Sequence, residues 1–201
     1  MKKAEKEYLI EYGEVPDKLD ERIKILLGSG KKLKGKIKPM IDGILGIKWE
    51  RLTLEIRLVP KATPRPRYNG SHGIFYVKRA SDNRAIFKEF IESANIPMII
   101  TPMKVYINSY LPTPNSMSKV EKVLAEMGLI RPISKPDWDN LGKTYSDMIQ
   151  EQLILDDSLI IEGVSKKFYS IKPRIEITID YMRSFDCAYN ENKVTKILKK
   201  R

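Results

Sequence analysis

The stretch KPDWDNLGKTYSDMIQ, residues 135–150, places a helix with one apolar face directly after a proline and two aspartates. Its apolar residues recur at i, i+4, i+7 and i+8, which is the spacing of one helix face. They are Leu141, Tyr145, Met148 and Ile149. This spacing predicts a helix that is buried on that side, with Asp139 or Asn140 suited to cap its start.

The polar side of the same stretch is acidic, although the chain as a whole is basic. Pro136 favours an extended backbone, and side chains two residues apart on an extended backbone point the same way. Asp137 and Asp139 are therefore expected to converge on one point. Lys143 follows Asp139 by one helical turn, on a row that faces away from the apolar side.

A second pair of carboxylates, Asp156 and Asp157, precedes the next predicted strand and is expected to return beside the start of the helix. Carboxylates that meet closely resist ionisation together, and a hard divalent cation removes that cost. Oxygen ligands favour Mg²⁺ or Mn²⁺. Such an ion would activate water for attack on a phosphodiester, while Lys143 would neutralise charge in the transition state. The alternative is an acidic, solvated helix with surface salt bridges.

The remaining composition favours a polyanionic partner. The chain has 37 Lys+Arg against 26 Asp+Glu and a net charge of +11, which suits DNA, RNA or an anionic membrane surface. No apolar run approaches the roughly 20 residues of a membrane span, and the N-terminus lacks the apolar segment of a signal peptide. The lone Cys187 suits a reducing cytoplasm. The single His72 is expected in a turn, so a metal, a carboxylate or a lysine must activate any hydrolytic water.

The patterning outside the acidic stretch predicts an α+β domain. Residues 52–58 alternate apolar and polar side chains, as a half-buried strand does. Further elements are expected as a hairpin around 68–77, a helix from Ser81 or Asp82, a strand over 103–110, a helix capped by Asn115 or Ser116, and strands over 159–169 and 174–182 that pair as a hairpin. This order predicts a single mixed or antiparallel sheet with helices packed on it. No glycine-rich phosphate loop is present, and no small-molecule cofactor is expected.

Three parts are expected along the chain. Residues 1–48 form a basic, mostly helical N-terminal extension, residues 49–182 form the main domain, and residues 183–201 form a basic C-terminal tail.

The motif Lys135-Pro136-Asp137-x-Asp139-Asn140-Leu141-x-Lys143-x-x-x-Asp147, followed by Asp156-Asp157-Ser158 and Lys167, resembles the RusA-type Holliday junction resolvases of bacteria and their phages. The Arg65-Pro66-Arg67 loop, the hairpin with Lys78 and the closing strand to Ile179 are similar to that family in order and spacing. The resemblance covers about residues 49–182 and includes several separated blocks. One departure is Asp147-Met148-Ile149-Gln150-Glu151, where the family often has Asp-Ala-Leu-Asn-Gly.

The resemblance implies a Mg²⁺-dependent endonuclease that acts as a homodimer on four-way DNA junctions, in recombination and repair. It places the essential carboxylates on Asp137, Asp139 and Asp157 and the essential lysine on Lys143, with Asp156 as the neighbouring acid. A two-fold dimer matches a two-fold junction because equivalent sites then face opposing strands.

Basic residues are expected to position the DNA backbone, with the shape of the DNA dominating recognition. They are Arg65, Arg67, Lys78, Arg79, Lys135 and Lys167. Lys167 has a second interpretation as a lysine that protects the edge of a sheet. Trp138 is expected to fill a gap under the acidic loop, with stacking on a base as the alternative. Two other functions stay open: a flap or other branched-DNA nuclease, and a junction-binding protein without turnover.

Overall fold

The computed structural model describes residues 48–63, 67–69, 73–75 and 81–183, together with residues 195, 196 and 199. Its strands are β1 (Trp49–Ile56), β2 (Arg67–Asn69), β3 (Gly73–Phe75), β4 (Met103–Pro112), β5 (Ile160–Ser170) and β6 (Arg174–Met182). Its helices are α1 (Ser81–Ala94), α2 (Lys119–Glu126) and α3 (Trp138–Gln152), and a 3-10 turn covers Asp157–Leu159.

The main sheet has four strands in the order β1-β6-β4-β5. β6 pairs antiparallel with both β1 and β4, whereas β4 and β5 are parallel. The short strands β2 and β3 form a separate antiparallel ladder that aligns Arg67 with Phe75. The predicted fold class, an α+β domain built on one mixed sheet with helices packed on it, is confirmed.

The predicted hairpin of the last two strands is wrong, because β4 lies between β5 and β6. Residues 171–173 cross the end of β4 and so span two strand spacings, about 10 Å. The four residue steps from Ser170 to Arg174 can reach about 13 Å, so the crossing needs no longer loop. A short link between two strands therefore did not make them neighbours.

The core lies between one face of the main sheet and the helices α1 and α3. Alternate residues of β4, from Met103 to Leu111, are buried, and so are Ile175, Ile177 and Ile179 of β6. The four residues predicted for the apolar side of α3 are all buried: Leu141, Tyr145, Met148 and Ile149. That prediction is confirmed, and it makes α3 the central helix of the core.

Helix α2 departs from the prediction at its start. Ser118 caps the helix, instead of Asn115 or Ser116, through a reciprocal capping box with Glu121. The helix ends before Gly128, which takes the left-handed conformation (φ 74°) that favours glycine. Ala125 is its buried residue, and the apolar side chains of Val120, Val123 and Met127 are exposed.

The N-terminal extension over residues 1–47, the turn at His72 and the basic tail beyond residue 183, apart from residues 195, 196 and 199, lie outside the described residues. Their predicted structure therefore stays a prediction. Within the described ranges, no helix has the length and apolarity to cross a membrane.

Candidate active site

Helix α3 starts one residue after Asp137, so the two aspartates sit on different kinds of backbone. Asp137 is the N-cap residue, with extended dihedral angles (φ −68°, ψ 144°), and Asp139 lies in the first helical turn. The prediction of an extended Asp-x-Asp segment capped by Asp139 or Asn140 is therefore wrong. Proline restricts the residue before it, so Pro136 leaves the residues after it free to begin a helix.

Both aspartates are exposed at the positive end of the helix dipole, where carboxylates are favoured. The Asp137 side chain makes no capping hydrogen bond to the helix. The carboxylate is therefore not committed to holding the helix together. Asp137 and Asp139 still lie two residues apart at one helix end, which keeps both on the same part of the surface.

Lys143 lies on the exposed side of α3, as predicted. Its side chain is 75% exposed, and its Nζ is 3.5 Å from Oδ1 of Asp147, one helical turn further on. Exposed pairs of this kind contribute little stability. The ammonium therefore stays accessible to a phosphate near the first turn of α3.

The start of α3 lies beside the middle of β5. The Ser165 hydroxyl donates a hydrogen bond to the carbonyl oxygen of Trp138 at 3.1 Å. The end of α3 lies near the start of β5. Ile154, which follows α3, forms a parallel bridge with Ile99, just ahead of β4, and β4 and β5 start at the same edge of the sheet because they are parallel. Helix α3 consequently runs antiparallel to β5.

This direction separates the two pairs of carboxylates. Asp157 opens the 3-10 turn that leads into β5, and the steps from Ile160 to Ser165 alone span about 16 Å. The expectation that Asp156 and Asp157 return beside the start of α3 is therefore wrong. Asp156 caps the 3-10 turn by accepting the Ser158 N–H at 2.9 Å, whereas Asp157 is exposed.

A metal site made by one chain does not result from this arrangement. In the part of the chain that the structure describes, no group of three or more Asp, Glu, His or Cys side chains could hold a metal ion. The ligand chemistry suits Mg²⁺, because the candidates offer only carboxylate oxygens. The geometry of a single chain does not complete the set, since one pair of carboxylates lies at each end of α3.

The buried side of the first turns of α3 holds the segment that follows β1. Asn140 Nδ2 donates to the Thr63 carbonyl oxygen (3.2 Å), and the Thr63 N–H donates to Oγ1 of Thr144 (2.8 Å). The next residue of the helix also contributes, because the Tyr145 hydroxyl accepts the Lys61 N–H at 3.3 Å. These contacts fix the chain just before Arg65-Pro66-Arg67 against the helix that carries Asp137 and Asp139.

Sequence reasoning missed Asn140 as an anchor, and it missed Thr144 and Ser165 entirely. Burial raises the pKa of Tyr145 to about 12, although the hydrogen bonds from Lys61 and Asn83 act in the opposite direction. The hydroxyl of Tyr145 thus stays neutral and accepts both bonds.

For the contact between α3 and Ser165, the sequence carries one signal. It is Gly142, whose missing side chain leaves room for Ser165.

The structure describes only some of the basic residues that are predicted to contact DNA. Arg65, Lys78 and Arg79 lie outside the described residues, and Arg67 is described only by its backbone in β2. Lys135 is exposed just before the acidic turn. Their role in DNA binding stays a prediction.

Lys167 is occupied within the chain. Its Nζ donates to the carbonyl oxygens of Ser134 and Pro136, each at 2.9 Å.

Trp138 is 63% exposed, so the prediction that it fills a gap under the loop is wrong. The exposed indole leaves the alternative, stacking on a base, as a prediction.

A cleft of about 730 Å³ lies elsewhere, at the link between β5 and β6. Its wall includes Glu126, whose carboxylate accepts the Ile171 N–H, and the side chains of Arg57 and Arg174. None of the predicted site residues lines it. The residues predicted from the sequence to form the site therefore lie away from this cleft.

Helix α3 and most of the main sheet lie in a region that matches a known family of nucleases. The chain belongs to the Endodeoxyribonuclease RusA family, whose model matches residues 57–180, more than half of the chain. The match begins directly after β1, ends within β6, and includes all of α3 and the 3-10 turn. The suspected family resemblance is confirmed.

A curated relative is "Uncharacterized protein YqaN" of Bacillus subtilis (strain 168). It is 34% identical over 127 residues, which cover 60% of this chain and 89% of the relative. The name of this relative states no activity, so the similarity adds none to this chain.

Proposed function

We propose that this protein is a Mg²⁺-dependent, structure-specific endodeoxyribonuclease that resolves four-way DNA junctions. The observation that carries the proposal is the start of α3, where Asp137, Asp139 and Lys143 are exposed together in a chain of the RusA family. The net charge of +11 supports a phosphate-rich partner.

In this proposal, residues at different positions bind the metal ion, the phosphate that is cut and the DNA backbone. Asp137 and Asp139 supply oxygen ligands at the positive end of α3, and Lys143 offers a cation to the phosphate that is cut. The anchored segment at Thr63 leads to the arginines of the neighbouring loop, which would contact the DNA backbone. Bound Mg²⁺ would supply activated water and charge neutralisation.

A homodimer completes the set of carboxylates that one chain separates. We propose that Asp157 of one subunit joins Asp137 and Asp139 of the other, so that two equivalent sites form across a two-fold axis. The distance between the two ends of α3 supports this arrangement, because no side chain spans it. Two such sites would suit the paired cuts that a four-way junction requires.

The test is a cleavage assay on synthetic four-way, flap and linear DNA with Mg²⁺, comparing the wild type with Asp139→Asn. We expect nicking of the four-way junction by the wild type and a loss of about 10²- to 10³-fold in the variant, the scale seen when a charge-stabilising group is removed. Glu89→Gln, which removes an exposed carboxylate from α1, is the matched control and should cut normally.

Junction binding is measured in parallel by gel shift. Asp137→Asn should abolish cutting while binding survives, and a parallel loss of binding would show that the loop is structural. Cutting of no branched substrate would contradict the nuclease proposal. Preferential cutting of flaps, or equal cutting of linear duplex, would contradict junction specificity.

A further inference from the structure

We infer that Lys167, on β5, is a positioning residue. It fixes the acidic turn, residues 137–139 at the start of α3. The inference rests on the proposed function for the role of that turn in cleavage. It differs from the prediction that Lys167 contacts DNA, since the two roles place the ammonium against different partners.

The contacts of the ammonium are specific. Nζ of Lys167 donates to two carbonyl oxygens of one loop, those of Ser134 and Pro136, at 2.9 Å each. Hydrogen bonds from a charged donor are about twice as strong as neutral ones. Two of the three donors of the ammonium are thereby used on the backbone that leads to Asp137.

The loop needs such support because it has little of its own. Residues 131–137 form no helix or strand; Pro132 is the one buried residue among them, and the side chain of Ile133 is 99% exposed. A segment with few buried contacts opens at low free-energy cost.

The contacts of β5 surround Asp137 on both sides. Lys167 holds the carbonyl oxygen of Pro136, one residue before Asp137, and Ser165 holds that of Trp138, one residue after it. Ser165 and Lys167 are two residues apart on the strand and project to the same face. The carboxylate of Asp137 thus stands between two peptide groups that are tied to the sheet.

The strand itself is fixed to the beginning of the same loop. Arg131 Nε donates to the carbonyl oxygen of Lys167 at 2.8 Å, and its guanidinium lies 3.7 Å above the ring of Phe168. Residues 165–168 therefore hold the loop at its start, its middle and its end. A change at Lys167 removes the middle attachment and leaves the other two in place.

The experiment compares Lys167→Met with Lys166→Met, a matched control that removes an exposed ammonium from the opposite face of β5. Junction affinity is measured without Mg²⁺ as a function of salt, and kcat and KM are measured with Mg²⁺. We expect Lys167→Met to keep its affinity and salt slope and to lose about 10- to 100-fold in kcat, the scale of a small misplacement of reacting groups. Lys166→Met should retain its kcat.

A readout that needs no cleavage comes from Trp138, which is exposed at the turn. With Trp49→Phe as background, it is the one tryptophan left of two. Fluorescence anisotropy decay should show a larger fast component for Trp138 in Lys167→Met than in the parent or in Lys166→Met. Urea unfolding checks that both variants are folded.

The outcomes separate this inference from the proposed function. A wild type that cuts no junction contradicts the proposed function, yet the Trp138 measurement still tests the positioning. An unchanged anisotropy decay overturns the inference. So does a loss of affinity with the salt slope reduced by about 1, because that result identifies Lys167 as a phosphate contact.

Discussion

Gly142→Ala should destabilise the protein, although the substitution improves helix propensity. In a helix interior, alanine is favoured over glycine by about 1 kcal/mol. Here a Cβ at position 142 would lie 3.1 Å from Cβ and 3.2 Å from Oγ of Ser165. Rotating the hydroxyl relieves only the second contact, so α3 must move away from β5 by a few tenths of an ångström.

The net effect is the difference between these two contributions. Overpacking of this kind costs about 1–3 kcal/mol, which leaves a net loss of up to about 2 kcal/mol once the gain in propensity is subtracted. The same displacement lengthens the hydrogen bond from Ser165 to Trp138 and shifts the acidic turn. Cleavage should therefore fall by more than the stability change explains.

Urea unfolding followed by circular dichroism measures the free energy of unfolding for Gly142→Ala, Ser165→Gly and the double variant. The Ser165→Gly change removes the Cβ that clashes, so the double variant should show favourable coupling of about 1 kcal/mol or more. Gly163→Ala is the matched control on β5, since the nearest atom to its added Cβ is 4.0 Å away. Stabilisation by Gly142→Ala, or coupling near zero, would refute the close packing of α3 on β5.

Two further predictions follow from the dimer and from the core. If the carboxylate set is shared between subunits, mixing the Asp139→Asn and Asp157→Asn proteins should restore nicking, because the mixed dimer contains one intact set. No recovery of nicking, in a mixture shown to exchange subunits, would argue for sites within one chain. The pKa of Tyr145 is raised to about 12, so the unfolded state ionises first as the pH rises above 10. The wild type should therefore lose about 1.4 kcal/mol between pH 9 and pH 11 from this group. Tyr145→Phe, compared by urea unfolding at both values, should lack that part of the decrease; an equal decrease in both proteins would contradict the assignment.

The sequence predicted the elements better than it predicted their neighbours. Burial periodicity is a local property, so the apolar side of α3 and the alternation of β1 and β4 were recognised correctly. Strand pairing is not local. The three residues between β5 and β6 resemble a hairpin link, and only the insertion of β4 between those strands shows otherwise.

The positions of the candidate site residues were predicted in part, for the same reason. Asp137, Asp139 and Lys143 are close in sequence, and the structure keeps them at one end of α3. The placement of Asp157 depends on the direction of α3 against β5, which the spacing of residues does not encode. Ser165 was missed because a single serine in a strand carries no signal until its partner is known.

The residues of α3 that stabilise the fold and those proposed for the chemistry lie on opposite sides of the helix. Its buried side holds Tyr145 and the anchors of the neighbouring segment, whereas Asp137 and Lys143 lie on the exposed side and the Asp137 carboxylate makes no capping bond. Asparagine is as good an N-cap residue as aspartate, so Asp137→Asn should lose only the interaction of the charge with the helix dipole, up to about 1 kcal/mol. A large loss of cleavage in Asp137→Asn, in a protein that unfolds at the wild-type urea concentration, therefore reports on the reaction and not on the fold. Substitution of Thr144 or Tyr145 would not separate an effect on the reaction from an effect on the fold. Those side chains are buried in the core and also hold the segment of Lys61 and Thr63.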